Sequence, residues 1–190
     1  FFLNLNHISS LFLFFCLTMV FTSCEGDKKI NNPKYLNPLL SIDKRVTDLM
    51  KRMTLEDKVS QMNQFVGLEH MRSGNPNDDK ANNDAQGFYK DLSINDVTKL
   101  TIEGKIGSFL HVLTAEEANY LQELALKSPL KIPLLIGIDA IHGNALVSGT
   151  TVYPSPIGLA STWDDSFLYS VGKQTAKEMR ATGSHWAFTP

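Results

Sequence analysis

Leu134-Leu135-Ile136-Gly137-Ile138-Asp139-Ala140-Ile141-His142-Gly143 reads as a buried strand that ends on a carboxylate. Its first five residues are apolar or small without interruption, as in strands covered on both faces. Asp139 then opens a polar loop containing glycine, so it stands at the carboxyl end of the strand. In parallel α/β sheets and barrels, ligands gather at that end, because the strand ends and the loops after them converge there. Asp139 is therefore the first candidate for function.

The segments on either side alternate between helix and strand. Upstream, Thr114-Ala115-Glu116-Glu117 has the form of a full capping box, and Ala118, Leu121, Leu124 and Ala125 make the buried stripe of the helix it opens. Pro129 and Pro133 end that helix. Before it lie a strand over 106–112 and a helix capped by Ser93 and closed by Gly104. Downstream, a long connection carrying Gly143, Gly149, Pro154, Pro156 and Gly158 leads to a helix capped by Asp164 or Asp165. Phe167, Leu168, Val171, Ala176 and Met179 supply its inner face, and Gly183 closes it. Trp186-Ala187-Phe188 begins a third strand. Strand, helix, strand, helix, strand implies parallel pairing through right-handed crossovers.

Nearer the N-terminus, Val46, Leu49, Met50 and Met53 recur at helical spacing among Lys44, Arg45, Lys51 and Arg52. The Met residues read as core filler. Thr54-Leu55-Glu56-Asp57 is a capping box with Asp in the Glu position, opening a second helix through Met62. Residues 70–92 have loop composition. Their clustered Asp and Asn lack the ligand spacing of a helix–loop–helix calcium site, so a solvated loop is expected.

The chain has 190 residues, 43% of them hydrophobic, enough for one core. A barrel of eight strand–helix units usually takes about 250 residues, so a fragment of a longer protein is expected. The formal net charge of −2, with scattered basic residues, gives no nucleic-acid footprint. Residues 8–21 form an uncharged apolar run of signal-peptide length, short for a membrane span. Phe21-Thr22-Ser23-Cys24 then resembles a bacterial lipobox, with Cys24 as the lipidated N-terminus of an exported protein, periplasmic or on the outer surface. A plain export signal and an uncleaved anchor are the alternatives. The expected organisation is a signal peptide over 1–23, a tether over 24–41 and the folded domain over 42–190. Cys16 would leave with the signal, so no disulfide framework is expected.

The carboxylate of Asp139, beside a loop of glycine and small polar residues, suits sugar hydroxyls, because it accepts two or more hydrogen bonds at matching separation. The alternative is an Asp that pins its own loop. Asp139 and His142 are too few to hold a metal, and His70, His111 and His185 are not spaced as partners. A structural His142 that bonds the loop is preferred to a metal ligand. Ser148, Ser155 and Ser161 lack a nucleophile-elbow context, and no phosphate-binding glycine pattern occurs. Arg180 reads as a complement to a helix dipole. No cofactor is called for.

Taken together, the blocks at 45–62, 104–110, 132–143, 154–163 and 180–190 resemble glycoside hydrolase family 3 in order along the chain. The resemblance implies a (β/α)8 TIM-type barrel, of which only the N-terminal strand–helix units fall here, often followed by an α/β sandwich domain. It implies exo-acting release of β-linked sugars from non-reducing ends of glucosides or oligosaccharides, with retention. Asp139 matches the family's sugar-binding Asp, and His142 is a secondary candidate. Ile-Asp-Ala-Ile-His-Gly looks like the β-glucosidase branch; β-xylosidase and β-N-acetylglucosaminidase are lesser alternatives. Asn144-Ala145-Leu146-Val147 departs from the His-Asn-Asn run of some relatives. Retaining hydrolysis needs two carboxyl groups about 5–5.5 Å apart, and the family's nucleophile and acid/base motifs are not in this sequence. The fragment itself is thus expected to be inactive, and a non-catalytic sugar-binding lipoprotein on the same barrel is the rival from another class.

Overall fold

A computed structural model of the chain describes residues 33–72, 89 and 92–189. The proposed signal, Cys24 and most of the loop between 70 and 92 lie outside the described residues. The chain divides into two compact units, Phe1–Lys51 and Arg52–Pro190.

The described part of the first unit is a short 3-10 turn, Lys34–Leu36, and helix α1, Ile42–Arg52. Arg45 Nε donates to the Tyr35 carbonyl at 2.8 Å, and the Tyr35 N–H donates to Asp48 Oδ2 at 3.2 Å. The helical spacing of α1 is as expected, but its burial is not: none of its residues is buried, and Ile42, Val46 and Met50 are exposed. Periodicity marks a face and says nothing of what covers it.

The second unit holds a four-stranded parallel sheet in the order β1-β2-β3-β4, where β1 is Gln64–Val66, β2 Ser108–Leu110, β3 Leu135–Ile138 and β4 Trp186–Ala187. Helix α2, Leu55–Ser60, precedes β1, and α3, Leu68–Met71, follows it. Helices α4, Ile94–Ile102, and α5, Ala115–Ala125, flank β2. Helices α6, Pro156–Ala160, and α7, Asp165–Ala181, join β3 to β4. Every strand thus pairs with its neighbour in sequence, as in a (β/α)-barrel built unit by unit.

β1 is not recognisable in the sequence, because its three residues are too few to show a period of two. The capping boxes at Thr54 and Ser93 are complete: each hydroxyl accepts from the N–H three residues on, and Asp57 and Asp96 return the bond. Thr114 makes only half of the expected box. It accepts from the Glu117 N–H, while the Glu117 side chain turns elsewhere.

Register aligns Phe65, Phe109 and Ile136 across three strands. The alternation of side chains puts this row toward the helices, where Leu68, Met71, Val97, Leu121 and Leu124 close the core around Phe109. Ile138 continues the same face into a smaller cluster with Ala140, Val147 and Met179. On α7 the buried residues are Val171, Thr175 and Met179, spaced one turn apart on one face, whereas the expected Ala176 and Phe167 are exposed; the Thr175 hydroxyl is satisfied there by donating to the Val171 carbonyl at 2.8 Å. Leu135, Gly137 and Asp139 take the other face by the same alternation. The Phe188 ring packs against Gly137, where any Cβ would collide with it, and stacks on Trp186 at 4.4 Å.

Because Phe109 has no exposed surface, Phe109→Ala should destabilise the full-length protein by about 3–5 kcal/mol, read from denaturant unfolding.

Candidate functional site

Strands β1, β2 and β3 run in one direction, so the chain leaves all three at the same edge. A polar side chain follows each: His70 on α3, His111 next to β2 and Asp139 next to β3. His111 Nε2 lies 3.2 Å from Asp139 Oδ2, and the His70 ring meets His111 edge-on with centroids 5.5 Å apart. The Asp139 side chain is 41% exposed and that of His111 only 19%. The carboxylate is reachable, and an imidazole stands behind it. His185 precedes β4 and so belongs to the opposite edge, where its N–H donates to the Ile136 carbonyl at 2.8 Å.

His111 carries a left-handed backbone, φ 57°. Its N–H still donates to the Gly137 carbonyl at 2.9 Å, one residue past the β2–β3 ladder, so the bend begins immediately afterwards. The loop after β1 passes against this bend. Gly67 N–H donates to the Leu110 carbonyl at 2.7 Å, and a Cβ on Gly67 would stand 2.6 Å from the His111 carbonyl oxygen. Glycine is required there by space alone.

Glu117 ties the same two loops together. It is 6% exposed; its Oε1 accepts from the Glu69 N–H at 3.1 Å and its Oε2 from the Leu113 N–H at 3.4 Å. A residue expected to cap its own helix therefore reaches across to two strand-end loops. Burial pushes its carboxyl above the ordinary carboxylate range, while the N–H groups of Glu69, Leu113 and Leu68 pull it partly back.

The loop after Asp139 is pinned at several points. His142 Nδ1 lies 3.0 Å from the Tyr153 carbonyl, and Tyr153 N–H donates to the His142 carbonyl at 2.8 Å. A carbonyl only accepts, so Nδ1 carries the proton and Nε2 is the nitrogen left for other work. Gly143 has φ 96°, and a Cβ there would collide with the Thr151 carbonyl. Buried Asn144 donates through Nδ2 to Thr182 Oγ1 at 3.0 Å, which roots the loop on the end of α7. Thr151 donates twice to Glu178, at 2.9 and 2.8 Å. Bonds from Gln174 and then Thr151 hold the Glu178 carboxyl below its ordinary range.

Ser155 caps α6 and Ser161 donates to the Gly158 carbonyl at 2.7 Å, local structural tasks that leave neither as a nucleophile. Among the described residues, no three His, Cys, Asp or Glu side chains converge as metal ligands. Sequence spacing hid His70 and His111. The available signal for His111 was its place at the end of the expected 106–112 strand; His70 had none, because β1 was unrecognised.

A parallel α/β sheet with an accessible carboxylate at its carboxyl edge defines the strand-end site of a barrel-type protein. The chain belongs to glycoside hydrolase family 3: residues 54–190 match the Glycosyl hydrolase family 3 N terminal domain. Among curated relatives, the lysosomal beta glucosidase of Dictyostelium discoideum is 28% identical over 169 residues, covering 86% of this chain and 20% of that protein. The periplasmic beta-glucosidase of Salmonella typhimurium is 28% identical over 149 residues, covering 78% and 16%. The chain thus spans about a fifth or less of those relatives' lengths. Among solved structures, a beta-glucosidase involved in saponin metabolism from intestinal bacteria superposes with TM-score 0.53 at 33% identity, covering 77% of this chain and 16% of its own. A beta-glucosidase from Listeria innocua gives TM-score 0.57 at 24% identity, covering 80% and 18%, and shows the shared fold.

The Glu117 carboxyl is raised in the folded state, so its contribution to stability is complete below the ordinary Glu value and is lost as pH rises through the folded value. Asp57, Asp96, Asp164 and Glu178 are lowered by hydrogen bonds and act with the opposite sign. The difference in Tm between wild type and Glu117→Gln isolates the first effect: going from about pH 4.5 to about pH 7.5, the wild type should lose stability relative to the variant.

Proposed function

We propose that the full-length protein is an exo-acting, retaining β-glycosidase, in the first place a β-glucosidase, and that this chain supplies its first strand–helix units and its sugar-binding Asp139. The observation that carries the reading is Asp139 itself, half-exposed just past the carboxyl end of β3 and, by side-chain alternation, on the face of the sheet away from the helices. Family membership, relatives named beta-glucosidase and the Ile-Asp-Ala-Ile-His-Gly form support β-glucosides as substrates. A relative named beta-xylosidase, 33% identical over 95 residues, supports pentosides as the second choice.

In this reading the two oxygens of Asp139 accept from neighbouring hydroxyls of the terminal sugar and fix its position. His142, its Nδ1 committed to Tyr153, offers Nε2 to a further hydroxyl. The nucleophile and the acid/base come from other parts of the full-length protein, and no cofactor enters the reaction. Relatives named as periplasmic support export. The lipobox-like Phe21-Thr22-Ser23-Cys24 supports an acyl anchor at Cys24 that holds the domain on a membrane through the 24–41 tether.

Each charge-assisted hydrogen bond contributes about 1.5–3 kcal/mol, so Asp139→Ala in the full-length protein should lower kcat/KM on an aryl β-glucoside by about 10²-fold or more. Activity within about threefold of wild type would remove Asp139 from the site. Glucose binding with no turnover by the wild type would replace the enzyme with a sugar-binding lipoprotein. Separately, Cys24→Ser should abolish labelling by palmitate and move the protein out of the membrane fraction; unchanged labelling would exclude acylation at Cys24.

A further inference from the structure

We infer that His111 is a positioning residue, which sets the orientation in which Asp139 receives the sugar. The inference rests on the reading of Asp139 as the sugar-binding carboxylate. Among the described residues, three other than glycine have positive φ: His111, Lys131 and Trp163. Lys131 closes a turn in which its N–H donates to both the carbonyl and the hydroxyl of Ser128, and Trp163 follows α6 with its N–H on the Ala160 carbonyl. Those two are turn and helix-end geometry. His111 instead bends at the end of the sheet ladder, where a side chain in a left-handed conformation marks a local cost that the surroundings must offset.

The result of that bend is the placement of one nitrogen. Nε2 of His111 is buried and makes no well-aligned hydrogen bond among the described residues, yet it lies 3.2 Å from Asp139 Oδ2. A buried polar atom is costly when unmatched, and Asp139 Oδ2 is an acceptor within reach of Nε2. His111 thereby holds one oxygen of Asp139 and leaves the remaining lone pairs of the carboxylate to the sugar. The ring is itself confined. His70 meets it edge-on from α3, and Glu117, from α5, accepts from the N–H of Glu69, next to His70, and of Leu113, two residues past His111. Among the described residues, the titratable groups named at this junction are His70, Asp139, Glu69 and Glu117.

Asn tolerates the left-handed backbone but cannot reach as far as Nε2, whereas Gln places an amide N–H near that point. In the full-length protein, with p-nitrophenyl β-D-glucoside as probe, His111→Asn should raise KM about tenfold with kcat changed less than about threefold and Tm unchanged. His111→Gln should recover most of that loss. If His111 works through Asp139, adding His111→Asn to Asp139→Asn should cost less than about twofold beyond Asp139→Asn alone. Kinetics within about twofold of wild type for His111→Asn, alongside a large loss for Asp139→Asn, would overturn the inference and leave the sugar site standing. Fully additive losses, or a loss that Gln does not recover, would also overturn it. If Asp139→Asn is itself silent, the reading of the sugar site falls, and the inference with it.

Discussion

A parallel ladder obliges each strand to hand the chain over at the same edge, and it needs a crossover to bring the next strand back. Here the register of Phe65, Phe109 and Ile136 locks three strands level with one another, so their next residues emerge side by side. His111 and Asp139, 28 positions apart in number, meet within 3.2 Å for that reason. The core beneath enforces the same register. A slip of one residue would turn Phe109 and Ile136 away from α4 and α5 and bring polar Ser108 into their place.

The elements with strong local chemistry were legible in the sequence. Thr54, Ser93 and Asp164 each mark a helix start by a hydroxyl or carboxylate that accepts from the first turn, and Gly183 marks a helix end by its φ of 89°. The Leu134–Ile138 run and its terminal Asp139 were legible because the run is apolar or small without a break, although Leu135, expected to be covered, is exposed on the face away from the helices. β1 was not, since Gln64-Phe65-Val66 becomes a strand only through its partner β2. The site was half legible for the same reason: Asp139 announces itself at a strand end, whereas the nearness of His70 and His111 is a property of the register.

Glu117 shows how one side chain can satisfy the local rule in form and serve the tertiary structure in fact. Its N–H takes the Thr114 cap, as the capping pattern requires, while its carboxylate leaves the helix to bind Glu69 and Leu113. The less buried carboxylates of Asp57, Asp96 and Asp164 bond only at their own helix starts and are lowered by the hydrogen bonds they accept. Glu117 accepts comparable bonds, yet burial dominates and raises it. Similar bonding, placed at different depth, gives opposite responses to acid.

The bridge made by Glu117 also bears on how such sites can be altered by recombination. Gly67, the His111 carbonyl and the Glu117 carboxylate occupy one crowded junction, where the hypothetical Cβ of Gly67 would lie 3.0 Å from Glu117 Oε1. The loops after β1 and β2 are therefore not separate modules, although 44 positions of numbering divide Gly67 from His111. A chimera that imports either loop from a relative inherits a mismatch at this junction unless Gly67, the bend at His111 and Glu117 travel as one block.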